Sequence, residues 1–218
     1  MTESVRAALG ALQDERDHSW TPTQLDLNAS QRRELVIGFD RSRAIKIGDP
    51  MPNFALEAVD GTTIRLDSLI ATGPAVLIFF RFAGCPACNV TLPVYQRALW
   101  PTLRKLGVPL VAISPQIPSK LLEIQQRHAL DFTIATDRDN HLARQLGITF
   151  EANSATRQAA TIPLGDVTGT GTWELPFPTA LVIDQTGVVA WTEVTPDWMK
   201  RTEADAIIDP VRSIIVKV

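Results

Sequence analysis

The stretch Ala75–Gln96 reads AVLIFFRFAGCPACNVTLPVYQ. Its first six residues, Ala75 to Phe80, are apolar without alternation, and several are β-branched or aromatic. That pattern predicts a strand buried on both faces. Arg81-Phe82-Ala83-Gly84 breaks the run, and the only two cysteines of the chain follow as Cys85-Pro86-Ala87-Cys88. Beyond them Val90, Leu92, Val94, Tyr95, Leu99 and Leu103 recur at roughly helical spacing. The reading is strand, short turn, and a cysteine at a helix N-terminus.

Helix N-termini expose unpaired N–H groups and a partial positive charge, which favour an anion such as a thiolate. Cysteine pKa values fall below ~8.5 at such positions or beside Lys or Arg. Arg81, four residues before Cys85, is the nearby cation. A two-unit shift takes about 2.7 kcal/mol; a helix terminus supplies up to ~2 kcal/mol, so terminus and guanidinium together suffice. Pro86 fits the first helical position, where no N–H is needed. Cys88 then lies one turn on, with its Cβ about 5–6 Å from that of Cys85, close enough to bridge after modest adjustment. A bridge closing so short a loop contributes roughly 2 kcal/mol, which suits a switch better than a staple.

Metal binding and inert packing are the alternatives. A structural zinc site takes four Cys or His ligands, and His18, His128 and His141 all lie away from the pair in sequence. A Cys-x-x-Cys at a βα junction therefore favours redox chemistry, with no metal and no cofactor.

Composition sets the frame. The 218 residues are 45% hydrophobic and 21% charged with a formal charge of −3, which suits a globular chain and gives no reason to invoke nucleic acid or a membrane surface. The opening MTESVRAALGALQDERDHSW lacks an apolar core for a secretory signal. No run approaches the ~20 apolar residues of a membrane span. The expected location is cytoplasmic, where a transient catalytic disulfide is more natural than a lasting one.

Along the chain, Val5, Ala8, Leu9 and Leu12 predict a first helix, and Asn28 or Ser30 is expected to cap a second. These helices form an N-terminal extension, residues 1–45, that packs on the main domain or on a partner chain. Covering the cysteines, or forming a homodimer, are its other readings. Gly48-Asp49-Pro50-Met51-Pro52 marks a boundary, and residues 46–218 make the main domain. Residues 54–56 and 63–66 predict a hairpin around Asp60-Gly61, with a type I′-compatible turn. Strands at 108–114 and 132–135 alternate with helices at 119–128 and 140–146. Asp137-Arg138-Asp139 reads as a solvated turn. Residues 150–175 read as a long loop near the active face, a hairpin covers 179–192, and residues 202–215 form a closing helix. The β-α-β-α order implies a parallel centre.

Strand, Cys-x-x-Cys helix, βα unit, hairpin and closing helix is the thioredoxin-like order: an α/β fold with a central mixed sheet flanked by helices. KIGDPMPNFALEAVDGTTIRLDSL, GPAVLIFFRFAGCPACN, VAISPQ and WELPFPTALVIDQTG resemble a peroxiredoxin-like branch of the alkyl hydroperoxide reductase/thiol-specific antioxidant family, over residues 46–215. The resemblance implies a thiol peroxidase or a related disulfide oxidoreductase. Cys85 takes the attacking position and Cys88 the resolving one, with Arg81 as the cation. Phe82, Pro86, Phe177, Pro178 and Thr179 border the substrate. Phe177-Pro178-Thr179 resembles the segment that carries a cis-proline in thioredoxin folds, although an isomer is not legible in sequence. Trp173-Glu174 reads equally as a pocket wall or as an anchored loop with a surface acid; Trp100, Trp191 and Trp198 read as packing.

The chain departs from the family's P-x-x-x-[TS]-x-x-C: Ile78 stands at the proline and Phe82 at the hydroxyl. The downstream arginine falls at Pro178-Thr179. Thioredoxin's buried acid corresponds to Phe79, and its tryptophan to Gly84. Implied partners are a peroxide or disulfide substrate and a thioredoxin-type or other dithiol reductant. Three functions stay open: a peroxidase, a disulfide reductase without peroxidase activity, and a non-enzymatic redox sensor.

Overall fold

The computed structural model describes residues 3–216; residues 1–2 and 217–218, the outer ends of the two expected segments, lie outside the described residues. Helix α1 (Val5–Ser19) starts at Ser4, whose hydroxyl accepts the Ala7 N–H. Helix α2 (Pro22–Gly38) starts well before the Asn28 or Ser30 cap that was expected. The reason is a capping box: the Thr21 hydroxyl accepts the Gln24 N–H, Gln24 Oε1 accepts the Thr21 N–H at 2.9 Å, and Pro22 takes the first helical position.

Strands β1 (Ala55–Ala58) and β2 (Thr63–Arg65) pair antiparallel, as expected. Their turn is not type I′, which needs positive φ at both central residues. Gly61 has φ 82° but Asp60 does not reach that region. Instead Asp60 Oδ1 accepts from the Thr62 N–H and hydroxyl at 2.9 and 2.7 Å. A helical turn, α3 (Leu66–Leu69), leads into β3 (Ala75–Phe79), every residue of which is buried.

Next comes α4 (Pro86–Ala98), which gives way at Leu99 to α5 (Trp100–Lys105). The continuous helical spacing to Leu103 concealed this break; Pro101 offers no N–H and crowds the preceding turn. The chain goes on through β4 (Leu110–Ser114), α6 (Pro118–Arg127), β5 (Thr133–Thr136) and, after a 3₁₀ turn, α7 (His141–Gln145). Asp137 was expected in solvent and is buried: its carboxylate accepts the N–H groups of Leu142 and Ala143 at 2.9 and 2.8 Å, capping α7. Burial holds its pKa above the usual carboxylate range despite those bonds.

Residues 150–175, expected as a loop, carry β6 (Thr149–Glu151), α8 (Ser154–Ala159), α9 (Leu164–Thr168) and β7 (Glu174–Pro176). The Asn153 side chain caps α8, and Gly165 packs so close to Gly171 that a Cβ would lie 2.4 Å from its backbone. Strands β8 (Thr179–Ile183) and β9 (Val189–Val194) make the second hairpin, and α10 (Ala204–Ile215) closes the described chain.

Seven strands form one sheet in the order β2-β1-β5-β4-β3-β8-β9. β3, β4 and β5 are parallel neighbours, while β1 and β8 join them antiparallel. This is the expected central mixed sheet flanked by helices. α1 packs on α4, and α10 on β8 and β9. The buried centre of the sheet therefore aims the loop after β3 and the start of α4 at one place.

Candidate active site

The loop from β3 to α4 is held by polar side chains on the elements around it. Ser114 Oγ donates to the Arg81 carbonyl at 2.9 Å, and Gln116 Oε1 accepts the Ala83 N–H at 2.7 Å. Asn89, one turn into α4, donates through Nδ2 to the carbonyls of Ala83 and Cys85 at 2.7 and 2.9 Å. Its Oδ1 is braced by Arg127 and His128 at 2.9 and 2.8 Å. Sequence reasoning assigned no role to Ser114, Gln116 or Asn89. The available signal was Ser114 and Gln116 directly after a fully apolar strand.

Cys85 is the N-cap residue of α4 and Pro86 its first residue. Both cysteines are free and each is 1% exposed. Cys88 lies one turn into α4, and Arg81 Nη1 lies 3.9 Å from the Cys85 sulfur. Their environments separate the two sulfurs. The Cys88 hydrogen bond, opposed by burial and assisted by the charges of Arg81 and Arg201 and by the Cys88 N–H, holds Cys85 well below the usual thiol range. Burial, the bond it donates and the Cys85 charge push Cys88 well above it. One sulfur is set up as an anion and the other as its proton-bearing neighbour.

Arg81 sits in an aromatic cage. Its Cζ lies 4.4 Å from the ring centre of Trp198, 5.6 Å from Phe82 and 5.9 Å from Phe150. Cation–π contact favours an arginine held there. Phe82 thus forms one wall of the Arg81 site, while Trp198, read from sequence as packing, is buried and forms another. Phe150 stacks on Phe177 at 4.8 Å, and Phe177 meets Phe39, just after α2, edge-on at 5.1 Å.

Cys88, Pro178, Thr179 and Arg201 line one small cavity, with about 10 Å³ open to a water-sized sphere. The structure thus brings Pro178 and Thr179 beside the cysteines. The Phe177–Pro178 bond is trans, as are all peptide bonds of the described residues; trans is the lower isomer by about 0.5–1 kcal/mol. The cis-proline of the thioredoxin comparison does not carry over. Trp173 lies beneath the Arg157 guanidinium at 5.7 Å, and its neighbour Glu174, expected as a surface acid, pairs with Arg144 with its side chain 11% exposed.

Two cations escaped the sequence reading. Arg16 of α1 is 6% exposed, with Nη1 3.2 Å from the Met199 sulfur. Arg201 follows Trp198 and Met199 in the strap between β9 and α10. Among the described residues no group of three His, Cys, Asp or Glu side chains could hold a metal ion, and no helix is long and apolar enough to cross a membrane.

Residues 47–192, more than half of the chain, match the AhpC/TSA family. The chain belongs to the AhpC/TSA family. Family relatives include peroxiredoxin Bcp of Escherichia coli strain K12, 32% identical over 105 residues, 48% of this chain and 65% of the relative. The chain thus spans just under two thirds of that relative's length. A putative peroxiredoxin bcp of Coxiella burnetii is 26% identical over 156 residues, 71% of this chain and 93% of the relative. The crystal structure of peroxidoxin BcpB from Mycobacterium tuberculosis superposes with a TM-score of 0.61 at 22% identity, covering 78% of this chain and 98% of that one. The AhpC/TSA fold here is the thioredoxin-like one. Cys85 and Cys88 lie within the matched residues, whereas Arg16, Trp198 and Arg201 lie outside them.

Proposed function

We propose that the protein is a thiol peroxidase that reduces hydrogen peroxide or an organic hydroperoxide. The observation that carries this reading is the Cys85 sulfur at the head of α4, with Cys88 one turn on and Arg81 Nη1 3.9 Å away. The Cys85 thiolate attacks the terminal peroxide oxygen; the O–O bond breaks, and the departing oxygen takes a proton to leave as water or an alcohol. Cys85 is left as a sulfenic acid. The Cys88 sulfur then displaces the sulfenic oxygen as water, forming the disulfide, and an external dithiol reduces it and becomes a disulfide itself. Relatives named peroxiredoxin support the choice of electrophile. Residues 1–45 are an extension on a thioredoxin-like domain of residues 46–218, and the setting is the reducing cytoplasm. The test follows peroxide consumption with thioredoxin or dithiothreitol as reductant. Turnover no greater than that of Cys85→Ser sinks the proposal.

A disulfide reductase is the second reading. It is favoured by Phe82, which leaves no hydroxyl three residues before Cys85, and by Pro178 beside Cys88. Insulin reduction without peroxide turnover would select it.

A further inference from the structure

Three guanidinium groups lie around the dithiol: Arg81 Nη1 is 3.9 Å from the Cys85 sulfur, Arg201 shares a cavity with Cys88, and Arg16 meets Met199 in the strap beside Trp198, the residue that stacks on Arg81; among the described residues none of the three is in an ion pair with a carboxylate. The ion pairs among the described residues use Arg32, Arg97, Arg138, Arg144 and Arg157. Arg81 belongs to the site already described. The other two come from opposite ends of the chain, beyond the residues that match the family.

Arg16 is almost wholly buried, its Nη1 against the Met199 sulfur at 3.2 Å and its Cζ 4.7 Å from the Trp20 ring centre. Burial lowers its pKa, and the first charge opposing that is Cys85, ahead of Glu15. Arg201 borders the small cavity beside Cys88 and Pro178. Its Nη1 donates to the carbonyls of Trp198 and Lys200, whereas Nη2 is buried and without a hydrogen-bond partner. A cation whose donor is buried without a partner and that has no carboxylate is costly unless a negative charge lies near. Tyr95 on the same cavity cannot be that charge, because burial pushes its pKa far up; among the described residues neither Glu193 nor Glu203 forms an ion pair with Arg201. Asp197 in the same strap is taken by Arg32.

We propose that Arg16 and Arg201 are positioning residues of the dithiol, two cations supplied by the flanks of the family segment to hold the negative charge on Cys85. They act with Arg81 and with the proton that Cys88 keeps. The assignment rests on the thiolate chemistry of the proposed function but not on peroxide being the electrophile.

The test is the pH dependence of Cys85 alkylation by iodoacetamide, read by mass spectrometry at that residue, for the full chain and for Arg16→Gln, Arg201→Gln, Arg16→Lys and Arg201→Lys. The midpoint reports thiolate formation and the plateau reports access. Each glutamine variant is expected to raise the midpoint by at least about half a unit, a roughly threefold loss of thiolate below it, and each lysine variant to restore most of that shift. Midpoints that stay put while only plateaus change overturn the proposal and make both arginines a mechanical cover. Equal shifts for glutamine and lysine overturn it too, since charge would then not be the cause. A normal titration with no peroxide turnover would instead sink the peroxidase reading and leave this one standing.

Discussion

Arg32 and Asp197 form a two-point ion pair, Nε to Oδ1 at 2.6 Å and Nη2 to Oδ2 at 2.9 Å, that ties α2 to the strap carrying Trp198, Met199 and Arg201. Glu203 at the end of that strap accepts from the Ser4 hydroxyl and from the N–H groups of Val5 and Arg6, all at 2.9 Å. The N-terminal helices and the strap are therefore fastened together, and the strap's Trp198 stacks on Arg81, whose Nη1 lies 3.9 Å from the Cys85 sulfur.

Breaking that tie is expected to open the site. Arg32→Ala should speed Cys85 alkylation at its pH plateau several-fold and cost about 1.5–3 kcal/mol in denaturant unfolding, the range for a hydrogen bond to a charged group. The pH dependence has a definite sign. Burial raises the Asp197 pKa, but the bonds from Arg32 and the Met199 N–H outweigh it and leave it lowered. A lowered carboxylate contributes stability above its unfolded value near ~3.9, lost as pH falls through the folded value. Wild type should thus lose stability more steeply below about pH 4 than Arg32→Ala does. Parallel acid limbs in the two proteins would refute this.

The hydrogen bond from Cys88 is the largest cause of the low Cys85 pKa. Cys88→Ser keeps a donor at that place, and Cys88→Ala removes it. The absorbance of the thiolate near 240 nm should titrate at a higher pH in Cys88→Ala than in Cys88→Ser, with at least about a tenfold smaller thiolate fraction below the midpoint, as for one unit. Identical midpoints would leave the helix terminus and the arginines as the only causes.

What the sequence disclosed about this site was local. Cys85 at a helix head, Pro86 after it and Arg81 four residues before are set by the order of neighbours and by helix geometry, so periodicity and capping rules reach them. The cage around Arg81 is not local: Phe150 and Trp198 arrive from distant elements, and nothing in their own segments separates them from ordinary core aromatics. Arg16 had a faint signal, since it continues the apolar stripe of Val5, Leu9 and Leu12 on α1, where a charge must find a reason to be buried. The capping side chains were the other failure. Gln24, Asp137 and Asn153 each set a boundary through one or two hydrogen bonds, which composition over a window does not register.

Arg81→Ala should remove the cation nearest the sulfur and empty the space between Trp198, Phe82 and Phe150. Opposite charges at close range shift a pKa by about 1–3 units, so a tenfold or greater fall in thiolate below the midpoint is expected, with a matching fall in peroxide turnover at pH 6. Arg81→Lys keeps the charge but not the planar stack on Trp198, and should recover part of the titration while losing thermal stability. Unchanged titration in Arg81→Ala would assign the low pKa to Cys88, the helix and the two flanking arginines instead.

His128 and Asn89 link the cysteine loop to acidity. Burial, then the charges of Arg127 and Arg97, lower the His128 pKa from its ordinary value near 6.5. A histidine lowered in this way favours the folded state when neutral, so its contribution is complete above about pH 6.5 and is lost as pH falls through the lower folded value. Its Nε2 lies 2.8 Å from the Asn89 Oδ1, and Asn89 in turn holds the carbonyls of Ala83 and Cys85. His128→Gln, which retains a donor but does not titrate, should flatten the loss of stability as pH falls below about 6.5 and leave the protein otherwise intact. Asn89→Leu should cost about 1–3 kcal/mol at every pH, because the Ala83 carbonyl loses its donor and the Cys85 carbonyl keeps only the backbone N–H of residue 89, and should shorten the protection of the loop amides in hydrogen exchange. If His128→Gln loses stability with acid as steeply as wild type, the histidine is not the group that senses it.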